Sequence, residues 1–219
     1  MKFKGILFDL DGTLVNSMAS VERAWRAWAG RNGLEADFVM ENIHGRPARE
    51  SVAMLLKDSH EMEVKGEAMW LEMMEATDTD DVVAEPGALA LLDKLAELGL
   101  PWAIVTSGTD KVARARIKAA GLPEPSVLVT ANQVEKGKPE PEPFLLGAEK
   151  LGLAAQDCLV FEDSAAGVTA GKAAGAKVAA LTAYSSQQEL PEADAYLSSL
   201  ELAAIEVSEQ GFVLQQLSS

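Results

Sequence analysis

The run Ile6-Leu7-Phe8-Asp9-Leu10-Asp11-Gly12-Thr13-Leu14-Val15 carries two carboxylates two positions apart at the end of an apolar segment, then breaks at a glycine. Side chains two apart in a strand share a face. Asp9 and Asp11 are therefore expected to emerge together where the strand ends. Two like charges held that close require a metal, a shared proton or a ligand, so the stretch is read as a place for chemistry rather than packing.

Outward from this run, apolar segments alternate with helical patterns. Strands are expected at Ile6–Leu10, Trp102–Val105, Val127–Val129, Leu159–Phe161, Val178–Leu181 and Ala195–Leu197. Continuous apolar runs of this kind suit strands covered on both faces. Helical spacing fills Ala88–Leu98, Lys111–Ala120, Pro143–Leu151 and Ala166–Ala174, each closed by a glycine: Gly99, Gly121, Gly152 and Gly175. Glycine just past a helix supplies the left-handed residue that caps its last carbonyls. The alternation predicts an α/β fold, a Rossmann-like parallel sheet with helices on both faces.

One long segment breaks the rhythm. Ser17–Ala29, Pro47–Leu56 and Glu61–Glu75 read as helices with no strand between them, with Trp25 and Trp28 three apart and Trp70, Met73 and Met74 expected on one apolar seam. The division expected is a catalytic core of residues 1–15 and 81–219 with a helical cap of residues 16–80 inserted after the first strand. The acidic stretch Thr77-Asp78-Thr79-Asp80-Asp81 reads as a solvated return linker, since it lacks the glycine and distal glutamate of a calcium loop. Residues Glu206–Leu217 read as a hairpin turning at Gln210-Gly211.

The chain has 219 residues, 48% of them apolar, and a net charge of −15. That charge argues against nucleic acid or an anionic membrane as partner, and no apolar run approaches the length that spans a bilayer. The N-terminus leads directly into a strand without a signal-peptide pattern. The single Cys158, within an apolar strand, is expected buried and reduced. A cytoplasmic monomer is expected.

Sites in open parallel sheets form at the carboxyl ends of strands. Four such ends carry polar residues: Asp9, Asp11, Gly12 and Thr13; Thr106, Ser107, Gly108 and Thr109; Lys138 between prolines and glycines; and Glu162, Asp163 and Ser164 ahead of Gly167. Acids without nearby histidine or cysteine suit Mg²⁺ over zinc, and a lysine with backbone donors at a helix start suits phosphate. The set points to phosphoryl transfer with an aspartate nucleophile.

The ordered motifs Asp9-Leu10-Asp11-Gly12-Thr13, Val105-Thr106-Ser107-Gly108, Gly137-Lys138-Pro139 and Phe161-Glu162-Asp163 with Gly167 resemble those of the haloacid dehalogenase superfamily, across nearly the whole chain. The insert position resembles the subgroup with a helical cap. The longer strings Pro101–Thr109 and Phe161–Gly167 are similar to sugar phosphatases, including hexose-phosphate phosphatases, and to glycerol-phosphate phosphatases. The resemblance implies that Asp9 attacks phosphorus and that Asp11 protonates the leaving alcohol, then deprotonates water. It implies that Thr106 holds a phosphoryl oxygen with the Ser107 and Gly108 amides nearby, and that Lys138 balances charge. It further implies that Asp163, supported by Glu162, binds Mg²⁺ with Asp9 and the Asp11 carbonyl. Asn16 stands where the family commonly has an acid, and is expected to cap the first cap helix.

In the cap, His44-Gly45-Arg46 and Arg49 resemble a substrate-reading segment. His44, Arg46 and Arg49 are candidate contacts to a small phosphorylated sugar or polyol, with Glu75 a weaker one. The same motifs also fit a β-phosphoglucomutase-like phosphotransferase. A binding protein that merely kept the fold would be expected to lack Asp9, Asp11, Lys138 or Asp163, and all four are present.

Overall fold

The computed structural model describes residues 1–43, 47–209 and 211–216. The first apolar run forms β2 (Gly5–Phe8), every residue of it buried. It lies inside a parallel sheet ordered β6 (Leu128–Val129), β5 (Trp102–Val105), β2, β7 (Cys158–Glu162), β8 (Lys177–Leu181), β9 (Ala195–Leu197). Alternation on β2 serves both sides of the sheet. Ile6 and Phe8 join one core cluster with Leu92, Leu95 and Ile117, from helices α5 (Ala88–Leu98) and α6 (Asp110–Ala119). Leu7 joins the opposite cluster with Phe144, Ala148 and Val168, from α7 (Glu142–Lys150) and α8 (Ala165–Ala173). This is the expected α/β architecture, with element ends displaced by a residue or two. Gly99, Gly121, Gly152 and Gly175 take positive φ between 59° and 80° beyond their helices.

The chain runs outward from β2 to β5 and β6, then crosses back to β7 on the other side of β2 and runs outward again to β8 and β9. The crevice therefore opens above the carboxyl ends of β5, β2 and β7, at the point where the winding reverses.

Between residues 16 and 83 the chain forms α1 (Met18–Arg31), α2 (Ala36–Ile43), α3 (Ala48–Leu55) and α4 (Glu61–Thr77). They enclose their own apolar cluster of Trp25, Trp28, Val39, Ile43, Val52 and Leu71, with the two indoles edge to face at 5.5 Å. Helix α2 is absent from the sequence reading; its buried face is only Val39 and Ile43, too short a pattern to stand out. Trp70 and Met74 pack against this cluster, but Met73 is 46% exposed and leaves the expected seam. One residue's rotation on α4 carries it past the edge of the apolar stripe.

The two connections to the insert run side by side as β3 (Val15–Asn16) and β4 (Val83–Ala84), an antiparallel pair. Asn16 is not the cap expected: Ser17 holds the N-cap position of α1, and Asn16, one residue earlier, accepts from the first helical amide, that of Met18, at 3.3 Å and donates to the Tyr184 hydroxyl at 2.8 Å. The return linker is not simply solvated. Asp78 accepts two hydrogen bonds from Arg23 (2.8 and 2.7 Å) and Asp81 one (2.6 Å). The tail hairpin is β10 (Ala203–Ser208) with β11 (Gly211–Gln216), and its first strand starts earlier than expected. Residues Gln210 and Leu217 of that expectation lie outside the described residues. β11 also pairs with β1 (Lys2–Phe3), so the hairpin covers the base of the core with Ile205 and Leu214. Cys158 is buried and its thiol is pushed up to about 11 by burial. No helix among the described residues is long and apolar enough to cross a membrane.

Leu7 is fully buried under the central strand. Truncation to alanine is expected to cost about 2–5 kcal/mol of folding stability, measured by urea denaturation; a loss below ~1 kcal/mol would contradict the packing described.

Candidate active site

The β2 ladder continues one residue past the strand, since the Asp9 amide donates to the Phe161 carbonyl at 2.9 Å. That fixes the Asp9 backbone at the floor of the crevice. Lys138 reaches the same floor from the loop after β6. Its ammonium donates to Asp9 Oδ1 (2.5 Å), Glu162 Oε1 (2.7 Å) and the Val105 carbonyl (2.9 Å), so all three of its protons are engaged. The loop is held in turn by Glu142, whose carboxylate accepts from the Glu135 and Lys136 amides at 2.8 and 2.9 Å.

Burial alone would strip Lys138 of its proton, but Asp9 and Glu162 outweigh it, and the lysine is raised overall and stays charged. Burial pushes Asp9 up to about 8 against the pull of Lys138, with Glu162 and Asp11 adding to the rise. Asp163 is pushed well above the usual carboxylate range by burial, then by Glu162 and Asp9.

Carboxylate oxygens of Asp9, Glu162 and Asp163 all lie within 4.8 Å of one another. Three acids facing one ammonium leave uncompensated negative charge, and hard oxygen donors fit a divalent cation. Within the trio, Glu162 is the most enclosed. Its Oε1 accepts from Lys138, and its Oε2 from the Asp163 amide (2.8 Å), the Ser164 amide (2.8 Å) and the Ser164 hydroxyl (3.0 Å). The expected support for Asp163 thus takes the form of a frame around the strand end. Thr13 donates to Asp163 at 3.5 Å from the other side.

Asp11 reaches the crevice by a different route from the strand alternation expected. β2 ends at Phe8, and the chain turns tightly, with the Thr13 and Leu14 amides on the Leu10 carbonyl at 3.3 and 2.9 Å. Gly12 makes this possible: its φ is +84°, and a Cβ there would overlap the Asp163 carboxylate. The two aspartates are also not reconciled by one shared partner. Asp9 has Lys138, whereas Asp11 Oδ1 accepts from the Ser17 hydroxyl at 2.6 Å and pairs with Arg116 Nη1 at 2.9 Å.

Arg116 is the site residue that sequence reading missed. It is 4% exposed, and its Nη2 donates to Glu75 Oε1 at 3.2 Å. The available signal was its spacing: with Val112, Ala113 and Ile117 it lies on the buried face of α6, where a charge needs a partner. Glu75, the weaker candidate, proves nearly enclosed; burial raises its carboxyl and Arg116 pulls it down.

These groups line one cavity of about 240 Å³. Thr106, Ser107 and Gly108 form its wall at the start of α6, and the Gly108 amide donates to Thr106 Oγ1 at 3.0 Å rather than pointing unengaged into the space. The insert contributes Glu22, Trp25, Met40, Ile43 and Glu75. Arg49 is exposed in the first turn of α3, outside this lining. His44 and Arg46 lie outside the described residues.

An α/β core whose switch point gathers an aspartate pair, a buried lysine and an acidic cation cradle defines a phosphoryl-handling hydrolase. The chain belongs to the haloacid dehalogenase-like hydrolase family, whose profile matches residues 3–175. It is 50% identical over 216 residues to hexitol phosphatase A of Escherichia coli strain K12, covering 99% of this chain and 100% of that one. It is 33% identical over 191 residues to glycerol-1-phosphate phosphohydrolase 2 of Saccharomyces cerevisiae, covering 81% and 74% respectively. A β-phosphoglucomutase from Clostridium difficile shares the fold at a TM-score of 0.81 and 21% identity, over 90% of this chain and 92% of that one. Family and relatives together make this chain a phosphoric monoester hydrolase.

A methyl group added at Gly167 would overlap the Glu162 carboxylate. Gly167→Ala is therefore expected to displace Glu162, loosen Lys138 and lower kcat by about 100-fold, with the circular dichroism spectrum retained. Unchanged kcat would show that Glu162 does not hold the lysine.

Proposed function

We propose that the protein hydrolyses monophosphates of small sugars or polyols, with Mg²⁺ as the cation and an aspartyl-phosphate formed on Asp9. The observation that carries this reading is the convergence of Asp9, Asp11, Thr106, Lys138 and Asp163 on one cavity. The names of the two curated relatives, a hexitol phosphatase and a glycerol-1-phosphate phosphohydrolase, support the substrate class.

Asp9, on the crevice floor, supplies the attacking carboxylate oxygen. The phosphorus–oxygen bond to the alcohol breaks, and Asp11 gives that oxygen its proton. Water then attacks the phosphorus of the aspartyl-phosphate while Asp11 takes the proton back, releasing inorganic phosphate and restoring Asp9. Lys138 and the donors around Thr106 stabilise charge on the phosphoryl oxygens. Asp9, Asp163 and the Asp11 carbonyl would hold Mg²⁺, which supplies the second positive charge that the acid cluster and the phosphoryl group require.

The mutase alternative needs a second anion site for a bisphosphate. Among the described lining residues the cations are Lys138 and Arg116, each already bonded to two carboxylates. Glu22 of the insert, paired with Arg26 at 2.7 Å, also lines the cavity and brings no free cation. This lining favours a neutral, hydroxylated leaving group.

Asp9→Asn and removal of divalent cations by chelation are each expected to cut phosphate release by about 10³-fold or more. Activity surviving both would overturn the mechanism. A panel of phosphate esters at saturating Mg²⁺ is expected to show kcat/KM for glycerol phosphate and hexose or hexitol phosphates at least about tenfold above phosphoglycolate, a ~1.4 kcal/mol preference. Formation of a sugar bisphosphate faster than phosphate release would instead establish the mutase.

A further inference from the structure

Asp11 touches the insert at two places. Ser17, at the start of α1, donates to its Oδ1, and Arg116 joins that same oxygen to Glu75 near the end of α4. Arg116 itself belongs to the core, on α6, and α4 packs directly against α6. A guanidinium is a rigid planar fork. With Nη2 anchored to Glu75 from the insert, the direction of Nη1, and so the placement of the Asp11 carboxylate, follows from where α4 sits. The pair is also enclosed: the Arg116 side chain is 5% exposed and the Glu75 side chain 9%. Arg116 Nε is buried without a partner among the described residues, so the guanidinium is held by its two terminal nitrogens alone.

We propose that Arg116 and Glu75 are positioning residues that aim Asp11 at the leaving-group oxygen, so that proton delivery is assembled only when α4 is docked on the core. The inference rests on the phosphatase reading and adds two residues to it that touch neither phosphorus nor cation. Its signature is a dependence on the leaving group. An alkoxide leaving from a sugar or polyol phosphate needs the Asp11 proton, whereas p-nitrophenolate leaves readily without one. Substrate binding and the Asp9 attack are served by other residues and are left in place.

The experiment compares kcat/KM, which reports the steps up to alcohol release and so leaves out the later water step in which Asp11 serves both esters alike, for glycerol phosphate and p-nitrophenyl phosphate at saturating Mg²⁺ in the wild type, Glu75→Gln, Arg116→Met and the double variant. Glu75→Gln keeps Arg116 and nearly the same shape, so it decides the matter even if Arg116→Met folds poorly. The expected result is a loss of about tenfold or more on glycerol phosphate, within the range general acid catalysis commands, and less than about threefold on p-nitrophenyl phosphate. The double variant is expected to be no worse than Arg116→Met, because the residues act as one unit. Equal losses on both esters, or no loss on either, in Glu75→Gln would overturn the proposal. If the wild type does not hydrolyse glycerol phosphate, the substrate reading fails separately; the comparison is then made with methyl phosphate, whose leaving group carries the same demand for a proton.

Discussion

A charged lysine with almost no exposure is the constraint on which the rest of the site depends. An ammonium removed from water costs several kcal/mol unless its protons find acceptors. Lys138 finds three, on three different strands or their ends: Asp9 after β2, Val105 on β5 and Glu162 on β7. One side chain therefore pins the register of the central strands at their carboxyl ends, where the crevice opens. Removing any acceptor leaves a buried charge partly unmatched, a larger penalty than the bond itself is worth. The same arrangement gathers Asp9, Glu162 and Asp163 around a single positive charge. The excess of carboxylate is what suits the floor of the crevice to holding a cation.

The core of this arrangement was legible in the chain. Strands covered on both faces declare themselves as continuous apolar runs, and the polar residues that end them are where a parallel sheet places chemistry. Asp9, Thr106, Lys138, Glu162 and Asp163 could be named on that basis, and they meet. What was not legible depended on long-range neighbours. The pairing of β1 with β11 joins residues some two hundred positions apart through a two-residue strand, too short to carry a period. Helix α2 buries only two residues. Asp11 was placed in the crevice for the wrong local reason, because the strand stops before it and a glycine turn delivers it instead. Arg116 carried a local signal, a charge on an apolar helix face, yet its partners come from the first loop and from the far end of the insert.

Charge is zoned within the cavity. The chain as a whole is strongly anionic, yet the end of the cavity at Asp9 has the cation Lys138 at its floor and Thr106, Ser107 and Gly108 along its wall. Toward the insert the lining changes to Trp25, Met40 and Ile43 with the acids Glu22 and Glu75. An alcohol with hydroxyls can hydrogen-bond to the Glu22 carboxylate and rest its carbon skeleton on these apolar surfaces. Both acids are paired, Glu22 with Arg26 at 2.7 Å and Glu75 with Arg116 at 3.2 Å, so a second anion would meet no unengaged cation among the described lining residues. On the proposed reading, selectivity on this side would work by what the cavity rejects as much as by what it binds.

The buried pair between Arg116 and Glu75 is hard to account for as a source of stability. Two apolar side chains of similar size would hold α4 against α6 as well or better, because an enclosed ion pair recovers little more than its desolvation cost. A third charge on the same guanidinium makes the apolar alternative worse only in one respect: Asp11 would lose its partner. An apolar pair would leave that carboxylate to the Ser17 hydroxyl alone, with its orientation set by one rotatable group on the first connection to the insert. The rigid fork of Arg116 adds a second reference, the Glu75 carboxylate near the end of α4. The cost of burying the pair is thus tied to the placement of Asp11, the acid proposed above to deliver the proton to the leaving group.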